Sequence, residues 1–469
     1  MAGYFQKNEA GTKIRPGAYF NVDKVGEDDS FGAVDGVVAV VFKANFGPVN
    51  TVTILDRGDD YESIFGNGLT TDAIREAWYG GAKKILACRL GGSGGVAASA
   101  TLTAETGSVK ITAKHVGEMP FTVTVRNRLT DAERKECIIY TGTTEFEKVY
   151  FKAGEDEAAN LVAAFANSKN FTATVESSGK GVVTNVNQAA FTGGKNPTIA
   201  NANYSAAFTE IEKYYFNTIC VDTEDTAIHA LLQAFLDRIY EAGQFSVAVI
   251  AEKDNKDLEE RMKAAEGYNA KNVVYVLNPK VSINGGSLDG YQTAALIAAL
   301  IAATPASQSV THTAISRYTE VGELLTNTQI TKAEQRGCLV LSTSQDDEVW
   351  IDSAINTLIT PADNEDAGWK KIRRVKTRYE LLYRMNAQAD ALVGKVDNDV
   401  NGRATIVGKL QKIINDMIQE GKLVSGTVAE STTYTADTDN CYFDIDVVDK
   451  DSAEHIYNFF RFQFSTISA

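Results

Sequence analysis

The sequence predicts an α/β core built on a mostly parallel or mixed sheet, interrupted by a small β-rich insertion and followed by an α+β C-terminal domain, with extended arms at both termini. Three observations predict it. First, runs that are apolar on both faces, VVAVVF (37–42), KILACRL (84–90), YFNTICV (215–221), FSVAVIA (245–251), NVVYVLN (272–278) and GCLVLS (337–342), alternate with helical patterns. Strands buried on both faces and separated by helices belong to parallel sheets covered by those helices. Second, two glycine-rich stretches, GGSGG (91–95) and TGGKNP (192–197), bracket a region of strictly alternating segments, as loops at a domain boundary do. Third, both ends carry aromatic segments of period two, the spacing of half-buried strands.

The chain has 469 residues, and roughly 100 to 200 residues per domain implies about three domains. The boundaries that follow are an N-terminal arm at 1–24, a discontinuous core at 25–91 and 199–345, an insertion at 92–198, and a C-terminal domain at 346–469. In the arm, Pro16 opens a strand from Ile14 to Val22, with Ala18, Phe20 and Val22 on one face and Tyr19, Asn21 and Asp23 on the other. The core helices read from TTDAIREAWYGG, EDTAIHALLQAFLDRIYEAG, DLEERMKAAEG and YQTAALIAALIAA. SVKITAKHV, FTVTVRN, CIIYTGT and FTATVES supply strands of the insertion, and EDEAANLVAAFANS its helix. Beyond about residue 345 come a short strand pattern in EVWIDSAINTLIT, a basic helical segment, and an amphipathic helix from Arg403 to Glu420. Ile406, Leu410, Ile413, Ile414 and Met417 share one face of that helix, and Gly421 is placed to end it.

A formal charge of −15 disfavours nucleic acid or an anionic membrane as a partner of the whole surface. The five cysteines, Cys88, Cys137, Cys220, Cys338 and Cys441, are scattered and form no C-x-x-C, which implies neither a disulfide framework nor a zinc site. The first residues carry no secretory pattern. The longest apolar run, Ala294 to Ala303, is about half of the roughly 20 residues a bilayer span needs, and predicts a buried helix.

Chemistry is thinly represented. GGSGG matches G-x-S-x-G at Ser93, but a nucleophile elbow needs a helix directly after the serine, and VAASATLTAETGSV continues with small residues and strands. His229 and His312 have no local support as bases. FGNGLTTDAIREAW lacks the strand that precedes a dinucleotide fingerprint, and no G-x-x-x-x-G-K-[ST] occurs. DNDVNGRATIVG, Asp397 to Gly408, begins like a calcium loop with Asp397, Asp399 and Asn401, but its twelfth place holds Gly408 instead of the bidentate Glu. An Asx-rich turn opening the next helix explains it as well. No catalytic, metal or cofactor residue is therefore assigned.

WKKIRRVKTRYELLYR, Trp369 to Arg384, holds seven Lys or Arg against one Glu. As a helix it places Ile372, Val375, Tyr379 and Leu382 on an apolar stripe and surrounds it with Lys370, Lys371, Arg373, Arg374, Lys376 and Arg378. A solvated face and a dock for an acidic protein both fit that pattern. At the C-terminus, CYFDIDVV alternates, and HIYNFFRFQF puts Ile456, Phe460, Phe462 and Phe464 opposite His455, Tyr457, Phe459, Arg461 and Gln463. So aromatic an edge needs cover. Pairing within the chain and strand addition to another copy both provide it.

In order and texture the chain resembles the tail sheath proteins of contractile phage tails and of phage-tail-like bacteriocins of Gram-positive bacteria. The resemblance rests on RPGAYF, AKHVGEMPFTVTVRN, FTGGKN, SLDGYQTAALIAALIAATPASQSVTH, AINTLITP and VGKVDNDVNGRATI, and departs from the family wording after Gly117, where EMPF stands in place of a following asparagine. It implies a non-enzymatic polymer of hexameric rings around an inner tube, located in a virion tail or phage-tail-like particle and assembled in the bacterial cytoplasm. Its partners would be copies of itself, the tube, and baseplate and tail terminator proteins, with no direct nucleic acid contact and no membrane insertion. It implies arms that complete sheets in neighbouring subunits: Tyr19, Phe20 and Val22 in one, and Phe459, Phe460, Phe462 and Phe464 in the other. The tube contact is expected from Lys370, Lys371, Arg373, Arg374, Lys376 and Arg378. Two other classes compete, an α/β-hydrolase-like or other enzyme with a polar pocket at its strand ends, and a monomeric binding module.

Overall fold

The structure, a computed structural model, describes residues 35–253 and 255–462, with the backbone alone for 3–4, 19–20 and 177–180. The apolar runs form a seven-stranded sheet. Its strands are β1 (Val37–Phe42), β2 (Val52–Asp56), β3 (Lys84–Arg89), β4 (Thr218–Val221), β5 (Val247–Ala251), β6 (Val273–Val276) and β7 (Cys338–Leu339), in the order β7-β6-β5-β4-β1-β3-β2. All neighbours are parallel except β2, an antiparallel edge on β3. The mostly parallel sheet expected from the sequence is thus present, with the antiparallel edge that makes it mixed.

Alternation along each strand sends its side chains to two cores. Val38, Val40 and Phe42 face helices α1 (Asp72–Tyr79) and, later in the chain, Gly290–Ala303. Val37, Ala39 and Val41 face α2 (Asn201–Ile211), α3 (Thr226–Glu241) and α4 (Leu258–Tyr268) through Phe208, Phe235 and Met262. The Gly290–Ala303 helix, α5, is buried on nearly every side, so the run from Ala294 to Ala303 is the interior helix that its length implies. Among the described residues no helix is long and apolar enough to cross a membrane.

Two linkers leave the core side by side, bridged at Ser93–Thr198, Val96–Lys195 and Ser99–Thr192. Ser93 sits exposed in this linker pair and no helix follows it, which supports the linker reading of GGSGG. Beyond the linkers, a ladder of Ser99–Ala113 with Phe171–Val183 packs against a second sheet of four strands within 121–190 and the helix Glu157–Ala164.

Insertion and core share an interior. Phe46, on the loop after β1, is 1% exposed and enters the aromatic cluster of the insertion, with ring centroids 5.0 Å from Phe121 and 5.2 Å from His115. Arg89, ending β3, is fully buried and donates to the carbonyls of Ala44 (3.1 Å), Gly47 (2.6 Å) and, across the junction, Val116 (2.9 Å). Burial pushes its guanidinium down to about 10. Gly117 beside it has φ +147°, and a Cβ there would lie 1.8 Å from the Asn45 carbonyl oxygen. The backbones therefore approach at a place that only glycine permits.

The C-terminal region pairs α6 (Ile372–Leu392) with α7 (Val400–Gln419), and the hairpin strands β8 (Leu423–Glu430) and β9 (Phe443–Asp449) close over them. Leu410, Ile413, Ile414 and Met417 of α7 are buried against Leu381, Met385 and Val428. Asp399 caps α7 by accepting from Gly402 N–H at 2.7 Å, so the calcium-like stretch acts as an Asx cap. Gly421, at φ +75°, ends the helix as its position suggests, and Lys422 N–H returns to the Met417 carbonyl at 3.0 Å. Arg384, Glu380, Glu420 and Lys422 form an ion network that binds α6 to this end of α7.

Candidate assembly interface

Hairpin β8–β9 is a two-stranded sheet, and among the described residues no third strand joins it. Its register, Val428 opposite Ile445 and Thr427 opposite Asp446, turns Val428 into the helix cluster and leaves Val424 and Val448 largely exposed. An edge of this kind presents unpaired backbone donors and acceptors to any extended segment that reaches it.

After β9 the chain runs on without regular structure to residue 462. The sequence predicts a strand in HIYNFFRFQF; the described part, up to Phe462, forms none. A strand exists only against a mate, and no mate is present here. Phe459, Phe460 and Phe462 are 92%, 77% and 91% exposed, with Phe460 and Phe462 stacked at 6.5 Å. Phe464 lies outside the described residues. At the other end, the backbone of Tyr19–Phe20 pairs in parallel with Gly3–Tyr4 over two residues, and Val22 is likewise outside the description.

The basic helix is where the sequence places it, but its charges are engaged. Lys370 donates to the Glu334 carbonyl at 2.7 Å. Lys371 pairs with Asp451 at 2.9 Å and Glu454 at 3.1 Å. Arg373, buried, donates to the Ser452 hydroxyl at 2.7 Å. Arg374 forks onto both oxygens of Asp449 (2.9 and 2.6 Å), and Arg378 bridges Asp449 (2.8 Å) and Asp366 (2.8 and 3.0 Å). Lys376 caps the carbonyl end of α5 through Ile301 (2.6 Å) and Thr304, where a cation meets the negative end of the helix dipole. Burial pushes Lys376 down to about 8. It borders a cavity of about 30 Å³ together with Asp35, Tyr215 and Glu380, room for one water molecule.

A solvated basic face is therefore corrected: the six cations lie on partners within the chain. Apart from Asp366, which pairs with Arg378 from close by in the sequence, the carboxylate partners named above come from 449–454, far along the sequence, and periodicity carries no signal of such pairing. Burial alone would raise the Asp449 carboxyl, but the hydrogen bonds and charges of Arg374 and Arg378 outweigh it and hold the group below its ordinary range.

This arrangement has relatives. Residues 198–357, the second part of the core, match the family model described as the phage tail sheath protein central domain. The sheath tail protein of Desulfitobacterium hafniense, 19% identical, superposes with a TM-score of 0.69 over 91% of this chain and 100% of its own. The helical sheath of the anti-feeding prophage in its contracted state, 12% identical, gives 0.58 over 96% and 99%. The uncharacterized protein YqbK of Bacillus subtilis (strain 168) is 22% identical over 394 residues, 81% of either chain. The chain thus carries a tail sheath central domain and the fold of contractile sheath subunits.

Proposed function

We propose that this protein is the structural subunit of a contractile tail sheath, polymerising as stacked hexameric rings around an inner tube and shortening by rearrangement of its subunits to drive that tube through a target cell envelope. The observation that carries the reading is that, among the described residues, the hairpin β8–β9 keeps an open edge while the aromatic segment that follows it, Ile456 to Phe462, is exposed. Burying three phenylalanines contributes on the order of 5 to 9 kcal/mol by area, an upper bound because a free segment is already partly collapsed. That is enough to hold neighbours together while their bodies move. The work of shortening then comes from a free-energy difference between two packings of the same subunits. The N-terminal residues Tyr19, Phe20 and Val22 form the companion arm.

The partners are further copies of the chain, the tube, and the baseplate and terminator proteins at the two ends, in a phage tail or a headless phage-tail-like particle assembled in the host cytoplasm. Nothing in this reading requires catalysis. The tube contact is proposed at α6, through Lys370, Lys371, Arg373, Arg374, Lys376 and Arg378. All six are at least partly buried on partners of their own chain, Arg373 and Lys376 deepest, so the contact proposed is with the rim of compensated pairs around them and is weak, as a contact that must break requires. Negative-stain microscopy of the purified protein tests the proposal. Rings or tubes of regular repeat support it, whereas a dispersed monomer at every concentration refutes it.

A further inference from the structure

From the last residue of β9 towards the exposed aromatics runs DKDSAE, residues 449–454, and almost every polar side chain in it is held by the body of the subunit. Asp449 receives two arginines, with its side chain 8% exposed. Asp451 and Glu454 share Lys371. Ser452 takes Arg373, and Glu454 also accepts from the Ser309 and Thr311 hydroxyls at 3.0 and 3.1 Å. Lys450 adds a backbone bond to the Lys422 carbonyl at 3.0 Å. From Ile456 the large side chains change from engaged to bare: Ile456, Tyr457, Phe459, Phe460 and Phe462 are all exposed. The boundary falls within about two residues.

We infer that residues 449–454 are an ionic latch that fixes the root of the C-terminal arm to α6, so that only the chain beyond Glu454 is available to a neighbouring copy. The latch reaches α6 through Lys371, Arg373, Arg374 and Arg378, and the loop after α5 through Ser309 and Thr311. Since α6 packs on the central sheet through Ile372, Val375 and Tyr379, a pull on the arm is delivered to the rigid core and not to the hairpin alone. A bidentate arginine pair resists such a pull better than a point charge does, because its direction is fixed. The role of the arm beyond the latch rests on the strand-exchange reading above; the latch itself does not.

The test is limited trypsin digestion of the full chain, comparing cleavage after Lys450, inside the latch, with cleavage after Arg461, in the exposed segment. In the unaltered protein Lys450 should be cut far more slowly than Arg461. The triple variant Asp449→Asn, Asp451→Asn, Glu454→Gln keeps every side chain's shape and removes the charges; with each rate divided by that of the same bond in a free peptide of the same sequence, which cancels the effect of the flanking acids on trypsin itself, it should speed cleavage at Lys450 by roughly tenfold with Arg461 unchanged. Raising ionic strength on the unaltered chain should shift the same ratio in the same direction, which avoids any folding defect of the variant. Equal rates at the two sites in the unaltered protein, or a ratio that neither change moves, overturns the latch. Microscopy of the same samples judges strand exchange separately: a protected Lys450 in a chain that never polymerises refutes the exchange and keeps the latch.

Discussion

The junction between core and insertion and the root of the C-terminal arm are both tied by arginine, yet the two ties are opposite in kind. Arg89 is sealed from water and spends its donors on three backbone carbonyls, beside a phenylalanine shared by both interiors. Arg374 and Arg378 meet carboxylates at the rim of the subunit, and the chain they hold leads out to bare aromatic rings. A buried cation on carbonyls has no ionic competitor, and a Phe46 housed in the other domain's interior can leave only by opening it. Insertion and core are therefore tied through a shared interior. Rim ion pairs exchange with salt and solvent, and an uncovered aromatic segment gains from any partner that buries it. The molecule keeps its rigidity and its reach in different places.

Substitutions can break this contrast. Phe46→Ala should cost the most, about 3 to 5 kcal/mol for a large ring removed from a packed interior, read as an earlier unfolding transition of the insertion. The counterpart Phe460→Ala in the monomer should change stability by less than about 0.5 kcal/mol, because the ring touches little that is lost. Equal losses at the two sites would remove the distinction. Arg89→Met, which retains the bulk and strands three carbonyls, should cost about 2 to 4 kcal/mol in denaturant titration.

Acid sharpens the comparison with a smaller effect. Burial, with Arg89 and Lys114 nearby, pushes His115 at the junction below its ordinary 6.5, so the unfolded chain takes up that proton more readily. Stability of the junction should then decline as pH falls below 6.5 and level off beneath the folded value, and His115→Gln should flatten that part of the curve. Asp449 is depressed from 3.8, so its contribution is present above that value and is lost only as pH falls further, through its folded value. Exchange of the Lys450 amide hydrogen, which is bonded to the Lys422 carbonyl, should accordingly lose its protection only at a pH well below that at which the junction begins to soften.

What was legible in the sequence follows the same division. VVAVVF and KILACRL announce β1 and β3 because nearly every residue of a sheet covered on both faces is apolar, and Gly421 announces the end of α7 because caps are local chemistry, whereas the helix begins at Val400, a turn before the expected Arg403, because Asp399 in the Asx-rich stretch caps it. Arg89 is visible as a charge closing an apolar strand, which signals a buried partner without naming the carbonyls it meets. Phe46 in ANFGP looks like any loop aromatic, since nothing local says that its pocket belongs to residues 115 to 171. The basic run at 370–378 is legible as a run, but of its neutralising acids only Asp366 lies nearby in the sequence, and those at 449–454 are joined to it by the fold alone. The segment after Glu454 shows the converse: its alternation is plain, yet among its described residues, up to Phe462, no strand forms, because alternation names a strand's faces and not its mate.

The central claim is that the chain beyond the latch serves a neighbour and not its own subunit. A protein ending at Glu454, with the latch intact and residues 455–469 removed, tests it most directly when thermal unfolding and negative-stain microscopy are run on one preparation. An unfolding midpoint within about 1 °C of the full chain is expected, since the described part of the lost segment, 455–462, is exposed, together with no rings or tubes. Normal tubes from the shortened chain, or a midpoint lowered by several degrees, would contradict it.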